Sequence, residues 1–355
     1  MIDSHGVMAG ALVAGPLGAG KLVRSREELL AEHAYARPHE AAGRRLHGGF
    51  DEAGAYVPPR TLYRWPAIRA WQDALAARGF PLIEATTRLL SAGSYPTGEQ
   101  QKLLLQHGLG ETFWNALTIT GEIEARGRLL IDLPAPDFQK IVVEDLSGTA
   151  TGHLAKGLLT AHGMDEGGDP LTKLGAHDEM WFAIRDLVFG ENAYPLPEVP
   201  ASIARPDGGR LAPGIPLGHE QMLSLLMNVL MIEIRAENGF AFTQRLLADP
   251  ELFGDRRDAA RLGHEMVERI RTDEAVHVAY LQLVLSELRS FTIVAKDGRH
   301  VPGHEIIDPM WATLVQWHAV ENPRLARAQM RDVLHARIRA HADGERLVGA
   351  FEALG

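Results

Sequence analysis

Residues 271–288 read RTDEAVHVAYLQLVLSEL, and this stretch decides the fold. Its apolar residues recur every three or four positions, which predicts a long amphipathic helix. Glu274 and His277 stand three residues apart on the apolar face of that helix. Burying an acid and a base is costly unless they are paired or bind a metal ion. The stretch therefore predicts an all-α protein with an ionisable pair, or part of a metal site, in its core.

The sequence on either side of this stretch is also predicted to be mostly helical. Helices are expected at about 66–78, 98–130 with a glycine break at 108–110, 138–161, 177–189, 219–248, 257–290 and 308–354 with a break at 322–323. Asp137 is expected to cap the helix over 138–161, which ends at His162-Gly163. A β-hairpin is expected over 291–303. The Pro/Gly-rich connection over 195–216 is long enough to cross the bundle or to cover a site.

These elements divide the chain into three predicted parts. Residues 1–60 form an N-terminal arm over the body of the protein. Residues 61–292 form a helical bundle that carries the site. Residues 293–355 form the hairpin and C-terminal helices, packed on the bundle.

Composition excludes several classes of function. The 355 residues carry a formal net charge of −10, which argues against nucleic acid or an anionic membrane as a partner. There are no cysteines, so thiolate metal sites and cysteine nucleophiles are excluded, and a metal must be bound by Glu, Asp and His. No apolar run has the length of a membrane span, and the N-terminus does not resemble a signal peptide. A cytoplasmic location is therefore expected.

Two helical hairpins bring four glutamates to similar depths in the bundle. If the chain turns near residue 254, Glu233 lies level with about residue 275 and therefore beside Glu274. If it also turns near residue 134, Glu122 lies level with about residue 146 and close to Glu144. This convergence, rather than any single spacing, predicts the site.

At these residues the chain resembles the ferritin-like carboxylate-bridged dimetal proteins. Their pattern is a Glu on one helix and Glu-x-x-His on the next, given twice. Glu233 followed by Glu274-x-x-His277 matches the second half of that pattern. The resemblance covers roughly residues 98–290. It implies a ferritin-like four-helix bundle with extra N- and C-terminal helices and a small β-hairpin.

The first half of the pattern is matched only in part, by Glu122 and Glu144. Ser147 stands where the second histidine of the pattern is expected. Either His177 or His153 then supplies the missing imidazole, or only one metal ion binds well. Glu124 competes with Glu122 for the position on its helix.

The resemblance implies a non-heme oxidoreductase that activates O2 at a carboxylate/histidine dimetal site. Glu144 and Glu274 would bridge the metals, and Glu122 and Glu233 would each bind one of them. The cofactor would be two iron ions, with manganese as an alternative, and O2 would be a co-substrate. The other substrate would be a small organic molecule that is hydroxylated or N-oxygenated. A homodimer is compatible with the sequence.

Two further interpretations belong to other classes. One is a heme-oxygenase-like metal oxidase, also all-α, whose ligands are spread over different helices and include His153 and His177. The other is a non-catalytic binding or scaffold protein in which buried glutamates pair with arginines. In that case Glu233 would form a salt bridge with an arginine. The candidates are Arg235, Arg271 and Arg289.

Overall fold

The computed structural model describes residues 24–90, 93–169, 171–206 and 209–355, which are mainly helical with two small β-sheets. The α-helices of these residues are α1 (Arg26–Leu29), α2 (Arg64–Ala77), α3 (Gly98–Gln106), α4 (Glu111–Gly127), α5 (Ala150–His153), α6 (Leu158–Gly167), α7 (His177–Phe189), α8 (Leu217–Ala248), α9 (Arg257–Ser290), α10 (His304–Gln316), α11 (Asn322–Arg339) and α12 (Gly344–Ala353). The strands are β1 (Arg37–Ala41), β2 (Arg44–Phe50), β3 (Tyr56–Val57), β4 (Thr292–Val294) and β5 (His300–Pro302). No helix of this described part of the chain combines the length and apolar character needed to cross a membrane.

Two antiparallel helix pairs form the centre of the bundle. In the pair α8–α9, Glu237 binds Arg271, and further along α8 Gln244 binds Glu268 at 3.0 Å. In the pair α4–α7, the rings of Phe113 and Phe189 lie 6.0 Å apart. Helix α7 also packs on α9, so the two pairs join into one bundle.

Helix α9 is the central element, as its sequence pattern predicts. It is buried along most of its length, and Leu281, Val284, Leu285 and Leu288 are fully inaccessible. Burial of each such side chain contributes roughly 1.5–3 kcal/mol. This apolar half of α9 offsets the cost of the acids and the histidine that the other half buries.

Most of the predicted elements are confirmed. The bounds of α7 and α9 agree with the sequence interpretation, and β4 and β5 form the hairpin expected over 291–303. The connection over 195–216 contains no helix or strand among its described residues. In the C-terminal region, the break falls at a π-helical turn, Trp317–Glu321, after which α11 begins with a proline in its first turn.

The helix expected over 138–161 is wrong. Asp137 does cap a turn, but that turn ends at Lys140. The chain then runs beside the β-hairpin, where Val143 donates its N–H to the carbonyl of Thr292 at 3.0 Å. The Gln139 side chain also binds backbone groups of this irregular stretch, including the N–H of Leu146 at 2.9 Å. These bonds replace those of a helix, and the helical run resumes only at α5 and α6.

The arm over residues 1–60 contains more regular structure than expected. Strands β1, β2 and β3 form an antiparallel sheet in that order. The sheet lies against the start of α7, where the N–H of His47 donates to the carbonyl of Gly175 at 2.8 Å. This contact positions the sheet over one side of the site. Residues 1–23 of the predicted arm lie outside the described residues.

Candidate metal centre

Seven ionisable side chains point at one another in the core of the bundle. Each is buried, with at most 7% of its surface exposed except for Glu124 at 8%. They come from five helices: Glu124 from α4, His162 and Glu166 from α6, His177 from α7, Glu233 from α8, and Glu274 and His277 from α9. Four carboxylates and three imidazoles together are a ligand set that could hold iron, manganese or zinc.

The seven side chains form two overlapping ligand sets. The first set is His162, Glu166, Glu233 and His277. Its members are close: an oxygen of Glu233 lies 3.1 Å from Nε2 of His162, and an oxygen of Glu166 lies 3.1 Å from Nδ1 of His277. The imidazole rings of His162 and His277 stack with centroids 3.8 Å apart. Their nitrogens therefore face the same space.

The second set is Glu124, Glu166, His177 and Glu274. One oxygen of Glu274 lies 2.9 Å from Nδ1 of His177, and its other oxygen lies 2.7 Å from Nδ1 of His277. Glu274 therefore faces both sets, and Glu166 belongs to both. Two carboxylates placed in this way could each contact both of two neighbouring metal ions.

Three atoms of this cluster test whether a metal pair fits. Nδ1 of His177 lies 2.9 Å from Oε1 of Glu274 and 3.6 Å from Oε1 of Glu166, and all three atoms are inaccessible to solvent, yet none of them makes a hydrogen bond of good geometry. A buried polar atom without a partner costs about 1–3 kcal/mol. All three point into the cluster, where a cation would be their common partner. The donor set therefore fits two metal ions.

Each imidazole is supported on the side that faces away from the cluster. Nε2 of His277 lies 3.1 Å from Asp165, and Nδ1 of His162 lies 2.7 Å from the hydroxyl of Tyr280. Nε2 of His177 lies 3.3 Å from Asp273. Such partners fix the tautomer and ring orientation of a metal-binding histidine. In each case the nitrogen left for a metal is the one that faces the cluster.

The two supporting aspartates are themselves held by buried groups. Asp165 accepts hydrogen bonds from Nε of Arg60 at 3.0 Å and from Arg64 at 2.7 Å. Asp273 accepts a hydrogen bond from the hydroxyl of Tyr56, in β3, at 2.9 Å. The N-terminal sheet and α2 thus contribute to the site without reaching its centre.

The negative charges of the cluster could be balanced by metal ions or by protons. Four carboxylates carry four negative charges, which two divalent ions would neutralise. Without metal, protons must serve instead: burial and the neighbouring carboxylates raise the pKa values of Glu124 and Glu233. Burial alone would lower the pKa values of His177 and His277, but the surrounding carboxylates, Glu274 foremost, raise them above their usual range.

This arrangement predicts a pH dependence for the metal-free protein. Glu124, Glu233, His177 and His277 all have raised pKa values in the folded state, so each binds its proton more tightly than in the unfolded chain. The stability that this binding contributes is complete below the unfolded-state pKa and is lost as the pH rises through the raised one. Groups with lowered pKa values, such as His162, have already lost their protons above about pH 6.5.

We therefore expect the free energy of unfolding of the metal-free protein to fall between about pH 7 and about pH 9. Urea unfolding of chelator-treated protein across this range measures the effect. The metal-loaded protein is the control, because its ligands hold ions instead of protons and its stability should not fall. A metal-free protein whose stability stays constant or rises over this range would contradict the prediction.

A cavity of about 720 Å³ leads from the surface to the cluster between α4 and α8. Glu124, His162, Glu166 and Glu233 form its inner end. Most of the remaining wall is apolar, for example Leu117 and Phe240. Residues 201–204 of the long connection line it as well, so this connection does cover the site. Its volume is that of a pocket for a small organic molecule.

Four of the seven ligands expected from the sequence lie in the cluster: Glu233, Glu274, His277 and His177. None of the arginines considered for Glu233 pairs with it in the described structure. Arg271 binds Glu237, Arg289 binds Asp308, and Arg235 contacts His318.

The other three expected ligands, Glu122, Glu144 and His153, do not join them. Glu122 lies on a half-buried face of α4, two residues from the ligand Glu124. The Glu144 carboxylate accepts hydrogen bonds from the backbone N–H and hydroxyl of Thr292. His153 binds the carbonyl of Thr149 at 2.8 Å and packs against Trp71. The structure therefore places these three residues outside the cluster. For Glu122 and Glu144, the absence of a helix over 141–149 removes the alignment on which the prediction depended, and His153 is held away by its contacts with Thr149 and Trp71.

The sequence interpretation missed His162 and Glu166 and placed Glu124 only as a competitor. Glu124 continues the buried stripe of Phe113, Leu117 and Gly121 at helical spacing, which was a usable signal. His162 and Glu166 are four residues apart and share a helix face, but the glycines around them indicated a loop. Comparisons of the chain with protein-family models, with curated proteins and with solved structures found no match.

Proposed function

We propose that this protein is a non-heme dimetal oxidoreductase that activates O2 to hydroxylate or N-oxygenate a small organic substrate. The observation that carries the proposal is the pair of overlapping ligand sets with Glu166 in both. The buried atoms of Glu166, Glu274 and His177 that make no hydrogen bond of good geometry support the binding of a metal pair. The apolar cavity that ends at the cluster supports the binding of a small organic substrate.

A ferritin-like relationship is part of this proposal. Glu233 and then Glu274-x-x-His277 supply one half of that pattern. In the other half, Glu124 is followed by His162-x-x-x-Glu166, in which the histidine precedes the glutamate. His177 is a third imidazole beyond the pattern. Helix α7 lies between α6 and α8 in the sequence, where ferritin-like bundles have a long crossover, but it packs against α4 and α9 as a central helix and so departs from that pattern.

We propose iron as the metal. Two Fe(II) ions would supply the two electrons that, with two protons, allow one oxygen atom of O2 to be transferred to the substrate and the other to be released as water, and the iron would be left as Fe(III). Repeated turnover requires an external electron donor of the flavin or iron–sulfur class.

The side chains of the protein would bind the metal ions, orient the imidazoles and shield the reacting group from water. Glu166 and Glu274 would help to hold both ions, and Glu124 and Glu233 would hold them on the side that faces the cavity. Tyr280, Asp165 and Asp273 hold the imidazoles in place. The apolar wall excludes water from the reacting group, and substrate would approach from the side of Glu124 and Glu233.

The scaffold interpretation is less well supported by the contacts of the four glutamates. None of Glu124, Glu166, Glu233 and Glu274 forms a salt bridge with an arginine of the described residues; their close neighbours are histidines or one another. Of the two histidines that the heme-oxygenase-like interpretation requires, His177 belongs to the cluster and His153 does not. The dimetal proposal uses every member of the cluster.

Anaerobic loading with Fe(II) followed by exposure to O2 tests the proposal. We expect about two iron ions per chain by elemental analysis, and an optical change when O2 is added. Glu274→Ala should abolish both, because it removes a ligand that faces both metal positions. Less than half an equivalent of bound transition metal in the wild-type protein, unchanged by Glu274→Ala, would overturn the proposal.

A further inference from the structure

Arg235 is a cation of the cavity wall that has no acid as partner. It is half-buried on α8, two residues after Glu233, and it lines the same cavity. No carboxylate of the described residues lies within ion-pair distance of it, whereas Arg271 and Arg289 on α9 are both paired. A guanidinium inside a mostly apolar wall needs an anion to balance its charge. The cavity itself is where that anion would bind.

A neutral histidine holds this guanidinium in position. Nη1 of Arg235 donates to Nδ1 of His318 at 3.3 Å, and Nε2 of His318 lies 3.0 Å from Oδ1 of Asn228. Because the amide of Asn228 donates through its nitrogen to Ser224, its Oδ1 must accept, and the His318 proton is therefore on Nε2. Burial and the nearby Arg235 lower the pKa of His318 to about 3, so the ring carries no charge. His318 orients Arg235 and leaves its positive charge unneutralised.

Helix geometry places this cation across the cavity from the metal cluster. Two residues correspond to a rotation of about 200° around an α-helix, so Glu233 and Arg235 lie at opposite edges of the α8 surface that the cavity exposes. Between them the wall consists of apolar residues, including Val229, Ile232 and Ala236. A ligand that reaches from one edge to the other would therefore have a charged end, an apolar body and a reacting end.

We propose that the cavity binds an organic monocarboxylate with an apolar body, whose carboxylate pairs with Arg235. Arg126 also lines the cavity without an acid partner, but its Nη1 donates to the backbone carbonyls of Pro200 and Ala201. The planar donors of Arg235 match the two oxygens of one carboxylate. The inference rests on the proposed function in taking the cluster as the reacting end. Binding to Arg235, however, is measurable whether or not iron binds.

Direct binding measurements test the proposal, with octanoate as the probe and 1-octanol as its uncharged counterpart. Calorimetric titration of the purified protein, both metal-free and metal-loaded, gives the two dissociation constants. We expect octanoate to bind at least about tenfold more tightly than octanol, and Arg235→Gln to remove this preference. Arg235→Lys, which keeps the charge, should restore part of it. Arg245→Gln, at an exposed arginine further along α8, should leave it unchanged.

The outcomes separate this proposal from the proposed function. Octanoate binding that depends on Arg235 in a protein that takes up no iron would support the carboxylate site and overturn the dimetal enzyme. A protein that binds iron but has equal affinity for octanoate and octanol would overturn the carboxylate site alone. An Arg235→Gln variant that binds octanoate as tightly as the wild-type protein, with an unchanged melting temperature, would also overturn the carboxylate site.

Discussion

Replacing Glu166 with alanine is expected to lower the metal content from about two ions per chain to less than about half an ion. Glu166 belongs to both ligand sets, so its loss removes an oxygen from each metal position at once. It also leaves the carboxylate of Glu274 as the only group facing both positions. Elemental analysis of protein loaded with Fe(II) under anaerobic conditions measures the effect, and far-ultraviolet circular dichroism verifies that the helices remain.

Glu122→Ala is the matched control for this change. Glu122 is a glutamate that the sequence pattern favoured as a ligand, but it lies outside the cluster, so its removal should leave both ions bound. Loss of metal on Glu122→Ala, or full retention on Glu166→Ala, would contradict the site as the structure places it. Because Glu122 is only two residues from Glu124, retention of both ions in Glu122→Ala also tests whether the face of α4 that carries Glu122 points away from the cluster.

Replacing Asp165 with asparagine is expected to destabilise the metal-free protein by about 3–5 kcal/mol. Asp165 is fully buried and balances two arginines, Arg60 and Arg64, that are almost fully buried themselves. Without its charge, both guanidinium groups remain in the core with too little negative charge to balance them. Removing one member of a buried ion pair is costly for this reason, even where the pair itself adds little to stability.

The same substitution should weaken metal binding by about 10–100-fold, because Asp165 also supports the ring of His277. Urea unfolding measures the stability and metal titration measures the affinity. Asp145→Asn, at an exposed aspartate in a loop, should change stability by less than about 0.5 kcal/mol. The double variant Asp165→Asn/Arg64→Gln should lose less free energy of unfolding than the sum of the losses in the two single variants. Strict additivity would show that the pair does not interact.

The sequence predicted the second half of the site because the signal there is local. Glu233 and the pair Glu274/His277 lie within long, continuous helical patterns. Their burial follows from the apolar residues three and four positions away. Antiparallel pairing of α8 with α9 then brings them together without any further information.

The first half could not be predicted in the same way because it depends on tertiary contacts. Residues 141–149 have apolar positions that suit a helix, yet they run beside the β-hairpin. Helix α6 was not predicted because it contains glycines. A Cβ at Gly167 would lie 2.9 Å from the carbonyl oxygen of Ala125, and one at Gly163 would lie 2.9 Å from the backbone nitrogen of Ile131. These glycines allow α6 to approach the end of α4 closely. In a single sequence, however, they resemble a loop.

The origin of the ligands on five different helices has a consequence for how the protein matures. From Glu124 to His277 the ligands span 153 residues (277 − 124), and the two short-range pairs, His162/Glu166 and Glu274/His277, each supply only part of a site. Closing such long loops is entropically unfavourable, so contacts of this kind form late in folding. A growing chain therefore has no complete cluster until α9 has been synthesised and packed, and under the proposed function we expect metal uptake to be the last step of assembly rather than its nucleus.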